Sequence, residues 1–190
     1  MAKHRKHHSG DDLTIEQRQK LYYRKVCHII EEHGFFIQAV MAGDGFTSFA
    51  YTVGLAPDTS ERILFGLPDE TAGHIFHEVV NREREGQQFE SLHAYIGLVE
   101  GMLPLYFKNI TDEEELWSQH MRMAVRWHNE HGRLIFPIQQ IIWPDTHGKF
   151  PWQEGFEERF REEQPLLFAP DLEFMDVYPI TLLKGGVQDL

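Results

Sequence analysis

The chain has 190 residues, 42% hydrophobic and 25% charged, values that fit one packed domain and argue against wholesale disorder. Its net charge is −12, and Lys3, Arg5 and Lys6 sit in an acid-free start, so the remaining body is more acidic still and disfavours nucleic acid as a partner. A single cysteine, Cys27, excludes an intramolecular disulfide, and no run approaches the roughly 20 apolar residues that span a bilayer, so the expected location is the cytoplasm.

Residues 1–12 read as a disordered basic tail; His4, His7 and His8 lie in it, and no apolar segment follows of the kind an export signal carries. Thr14-Ile15-Glu16-Gln17 has capping-box spacing, and Ile15, Tyr22, Val26, Ile29 and Ile30 then recur at helical intervals up to Gly34, which predicts a helix over Ile15–His33. Cys27 falls within it among apolar positions, where a thiol acts as a small apolar group.

Phe35 to Met41, the turn residues Ala42-Gly43-Asp44-Gly45, and the alternating run Phe46 to Val53 predict a β-hairpin with Phe49, Tyr51 and Val53 on one face. Arg62 to Leu67 reads as a third strand. A second helix is expected over Glu70–Glu85, with Ile75, Phe76, Val79 and Val80 as its apolar stripe and Gly86 ending it.

Two β-like segments follow, Leu92 to Val99 and Leu103 to Lys108. Thr111-Asp112-Glu113-Glu114 then has capping-box spacing and predicts one long third helix, carrying Leu116, Ala124 and Trp127 and stopping at Gly132. Leu134 to Trp143 reads as a strand, Pro144 to Gly148 as a turn, and Gln153 to Glu163 as a short helix.

Residues 169–190 read as an irregular extension to a single domain over 13–168. Strands arrive in adjacent groups, which predicts an α+β fold with a largely antiparallel or mixed central sheet flanked by about three main helices.

Chemistry-bearing residues form no standard site. His74 and His77 could meet one ion from a helix, but the order matches no helical zinc motif, and both lie opposite the Ile75/Val79 stripe. His120, His128 and His131 fall on the apolar side of the third helix, and His128 with His131 is the only pair there close enough to share a metal. Both pairs stay weak metal candidates beside an ordinary hydrogen-bonding role. No phosphate-cradling glycine loop or nucleophile elbow is present, and no cofactor is specified.

Two segments are more distinctive. Phe49-Ala50-Tyr51-Thr52-Val53-Gly54-Leu55 and Trp143-Pro144-Asp145-Thr146-His147-Gly148-Lys149-Phe150-Pro151-Trp152 set polar groups inside aromatic and proline-rich surroundings. With His33-Gly34-Phe35 and Gln164-Pro165, they resemble the bacterial domain-of-unknown-function family numbered 4262, over about Glu31 to Phe168. Phe35 stands where that family more often has Trp. The resemblance implies a single domain and supplies no reaction.

The residues themselves leave two main functions open. One is a small-molecule site, possibly enzymatic, where the Tyr51 strand meets the Asp145–Trp152 turn: Asp145 the acid, base or polar anchor, Tyr51 and Trp152 stacking surfaces, Thr52, Gly54, His147 and Gln164 further contacts. The other is a non-enzymatic interaction or regulatory module that uses its acidic surface on a protein partner. Neither the ligand nor the oligomeric state is specified.

Overall fold

The computed structural model describes residues 13–99, 103–170 and 178–183. The basic start with its histidines, and most of the extension after Pro170, lie outside the described residues.

Helix α1, Ile15–His33, begins as the capping box dictates: the Gln17 N–H donates to Thr14 Oγ1 (3.2 Å), and the Thr14 N–H to Gln17 Oε1 (2.8 Å). Gly34 ends it in the left-handed region, its N–H on the Ile30 carbonyl. Cys27 is half-buried against the core.

Strands β1 (Phe36–Val40), β2 (Phe49–Val53) and β3 (Glu61–Phe65) form an antiparallel meander. Helix α2 is Asp69–Arg84, with Pro68 before it and no side-chain cap. A missing cap costs about 1 kcal/mol. Burial of Ile75, Phe76 and Val79, each worth about 1.5–3 kcal/mol, outweighs it.

Strands β4 (His93–Ile96), β5 (Leu105–Asn109) and β6 (Ile138–Ile142) form a second antiparallel meander, and β3 and β6 join the two side by side in parallel. The order is β1-β2-β3-β6-β5-β4-β7, where β7, Ile180–Leu182, pairs in parallel with β4. The fold is thus α+β with a mixed, mostly antiparallel sheet. One core lies under α1 and the 114–130 segment, around Val26, Phe49, Tyr51, Val53, Ile63 and Trp127. The other lies under α2, around Ala50, Leu64, Ile75, Phe76 and Phe107.

Four predicted elements differ. The long third helix is two pieces, α3 (Glu114–Trp117) and α4 (Arg122–Glu130). The Thr111 hydroxyl accepts from the Ile138 N–H (3.0 Å) instead of capping its own segment, so α3 starts uncapped and closes after one turn.

The predicted Gln153–Glu163 helix is only a 3₁₀ turn, Glu158–Phe160, because the Glu157 N–H donates to Asp145 Oδ2 (2.9 Å) and Gly155 takes a left-handed φ of 79°. In the extension read as irregular, residues 180–182 pair with β4 and form β7, a partner no local pattern announces. Leu134 and Ile135, expected in strand β6, precede it and stand 79% and 83% exposed.

Candidate functional site

Strand directions decide which predicted residues can meet. Tyr51 sits opposite Ile63, which sits beside Gln140. Asp145 lies five residues beyond that level at one end of the sheet, while Thr52 and Gly54 continue toward the other end. The predicted residues therefore do not form one constellation.

At the Asp145 end the polar groups are committed to a corner. Asp145 is buried, and its Oδ1 accepts the N–H groups of His147 and Lys149 (both 2.9 Å) while Oδ2 accepts that of Glu157. Burial pushes its carboxyl upward, but the amides of Lys149, Glu157 and His147 outweigh that and hold it below its ordinary range. Gln164 is buried and bonds the Trp143 backbone twice, at 2.7 and 2.9 Å. Trp152 packs on Phe150 and Tyr106, and His147 is exposed. Asp145, His147 and Glu157 are the only His/Cys/Asp/Glu group among the described residues with three donor atoms close enough for a metal ion.

At the opposite end lies a buried polar network. Glu61 is fully buried, and its Oε1 accepts the N–H groups of Gly54 (2.7 Å) and Leu55 (2.9 Å) together with His128 Nε2–H (2.8 Å). Its Oε2 accepts the Thr52 hydroxyl (2.6 Å). Gly54 has a φ of 103°, and an added Cβ there would fall 2.8 Å from Ile30 Cγ2, so the bend admits only glycine. His128 is thus a buried partner of Glu61, while the His131 Nδ1–H donates to the Trp127 carbonyl. His74 and His77 are exposed, with His77 edge-on to Phe35.

Next to this network, Arg62 is 1% exposed and ion-paired with Glu83 of α2. Burial pushes Arg62 below and Glu83 above their ordinary values, and in each the partner's charge pulls the other way. Both line a cleft of about 500 Å³ with Asp58, Thr59, Gln87 and Glu90. A smaller hollow of about 270 Å³ adjoins it, sharing Asp58, Thr59 and Glu83 and reaching Gly54.

Beside the cleft, Arg62 Nε is buried with no hydrogen-bond partner among the described residues, and a hydrogen bond from Thr59 helps Arg62 draw the Glu83 carboxyl downward against burial.

Tyr51 belongs to a different hollow of about 480 Å³, shared with Phe46, Phe49, His120 and Arg122. None of Asp145, His147, Trp152 or Gln164 lines it.

A family profile described as a domain of unknown function, DUF4262, matches residues 29–157. The chain belongs to that family. The DUF4262 match takes in both the Phe49–Leu55 strand and the Trp143–Trp152 turn and ends before Gln164. No curated protein and no solved structure matches the chain.

The residues that sequence reasoning passed over are Glu61, Arg62 and Glu83. A signal existed: Glu61-Arg62 opens an Ile-Leu-Phe strand, where two adjacent charges point to opposite faces and must both find partners if the strand is central. Glu83 carries no such mark, because on a helix end it reads as solvated.

Proposed function

We propose that this chain is a small-molecule-binding domain whose site is the Arg62–Glu83 cleft, and that its ligand is a small zwitterion of the α-amino-acid type. One observation carries this reading: the buried Arg62–Glu83 ion pair lines the cleft beside Thr59, which sets a fixed cation and a fixed anion at one opening. A fixed cation held beside a fixed anion complements a ligand that carries both charges.

Their chemistry specifies that ligand. The Arg62 guanidinium can only donate, and the Glu83 carboxylate can only accept. A carboxylate complements the first and an ammonium the second, with the Thr59 hydroxyl beside Glu83 in the same lining. Asp58 and Glu90 at the cleft add negative charge, which repels a simple anion and favours a ligand that carries its own cation.

Titration calorimetry of the full chain against the common amino acids one at a time tests this, followed by the amine and the acid that each lack one pole of the best ligand. At least one amino acid is expected to bind, with both single-pole analogues and the Thr59→Val variant at least about tenfold weaker, or about 1.4 kcal/mol. Failure of every amino acid to saturate at about 10 mM, equal binding of a single-pole analogue, or an unaffected Thr59→Val would sink the reading.

A further inference from the structure

The hollow beside Tyr51 stands apart from the Arg62 cleft, with which it shares no lining residue. Its walls are apolar, from Val40, Phe46 and Phe49, and Phe46 is half exposed at its mouth. Three polar groups enter it, each with capacity to spare.

Tyr51 is 3% exposed. Its hydroxyl oxygen accepts the Met123 N–H at 3.3 Å, and no described group accepts its own proton. Burial raises its pKa to about 12, so the phenol keeps that proton and presents it as a donor.

His120 lies in the break between α3 and α4. The carbonyl of Leu116, 2.9 Å from its Nδ1, can only accept, so Nδ1 carries the hydrogen and Nε2 of the neutral ring is left as an acceptor. The ring is held edge-on by Phe49 and Phe65, both at 5.3 Å between centroids, which fixes its direction. Arg122 opens α4 at the rim, exposed and without an ion-pair partner among the described residues.

We infer that this hollow is a second ligand site, for an aromatic carboxylate that also carries a hydroxyl or N–H donor. The apolar walls take a flat ring. Arg122 and the Tyr51 O–H take the carboxylate, and His120 Nε2 accepts the ligand's donor. A carboxylate-free aromatic leaves Arg122 unused, and a plain aromatic acid leaves His120 unused.

The three hydroxybenzoate isomers, benzoate and benzyl alcohol, titrated into the full chain and followed by calorimetry, test the assignment. At least one hydroxybenzoate is expected to bind several-fold tighter than benzoate, and benzyl alcohol at least about tenfold weaker than benzoate. Arg122→Ala, an exposed change that leaves the fold intact, is expected to weaken all the acids about tenfold while sparing the alcohol. His120→Phe keeps the ring packing and is expected to abolish the preference for hydroxybenzoate over benzoate.

Benzoate and all three hydroxybenzoates failing to bind at about 10 mM would overturn the inference. So would an alcohol that binds as well as the acids, an Arg122→Ala variant unchanged toward acids, or a His120→Phe variant that keeps the preference.

Discussion

His128 Nε2 lies 2.8 Å from Glu61 Oε1, and both side chains are completely buried. The pair ties α4 to the start of β3, and the same carboxylate oxygen holds the Gly54 and Leu55 amides that end β2. Removing either partner leaves buried polar groups unmet. His128→Ala is expected to cost about 3 kcal/mol, read from the urea unfolding midpoint. The exposed His74→Ala is expected to stay within about 0.5 kcal/mol. A His128→Ala midpoint as high as that of the parent would contradict this assignment.

The Arg62–Glu83 pair gives a different pattern. Either single change, Arg62→Met or Glu83→Leu, strands a buried charge and is expected to cost about 3–5 kcal/mol. The double variant removes both charges and is expected to recover most of that loss while losing amino-acid binding. Equilibrium unfolding of all four proteins closes the cycle, and strict additivity would show that the two side chains do not act as a pair.

Acid stability follows from Asp145. Its carboxyl is held below its ordinary value of 3.8 in the fold, so the unfolded chain binds the proton more tightly. The contribution is present above about pH 4 and is lost as pH falls through the lower, folded value. Asp145→Ala leaves the amides of His147, Lys149 and Glu157 without their acceptor and is expected to lower the melting temperature at pH 7. It is also expected to flatten the acid limb below about pH 4, measured by thermal melts at descending pH. An acid limb as steep as the parent's would show that Asp145 does not set it.

Gly66 has a φ of 72°, and an added Cβ would run into the Glu163 carbonyl oxygen. Gly148 has a φ of 78° with open space beside it. Gly148→Ala is expected to cost about 1 kcal/mol from backbone strain alone. Gly66→Ala carries the same strain plus a backbone clash and is expected to exceed it by about 2 kcal/mol or more. Matched denaturation curves check the difference; equal losses would mean that the 163 segment yields freely.

What the sequence disclosed and what it hid separate along local and distant contacts. Thr14, Gln17 and Gly34 speak to residues three or four positions away, so α1 was legible to the residue. The β1–β2 hairpin was readable for the same reason. The long third helix failed because Thr111 is recruited by Ile138, and the Gln153 helix failed because Glu157 is recruited by Asp145, neither of which periodicity can report. Tyr51 lines a hollow with His120 and Arg122, which flank a helix break that only the tertiary contacts create. The grouping of Tyr51 with Asp145 assumed that two family motifs share a place, whereas strand register sets them in different parts of the sheet.

The parallel seam between β3 and β6 also settles how the two meanders align. Four buried polar residues, Glu61, Arg62, Gln139 and Gln140, sit on those two strands, each with its own partner: His128, Glu83, the Phe89 carbonyl, and the Pro165 and Leu167 backbone. An all-aliphatic seam could slide by two residues and still bury its side chains. This one cannot, since a slip would strand four polar groups at once and carry Arg62 away from Glu83. The seam works as a lock with four wards, and the cleft beside Arg62 has its shape only when every one is engaged.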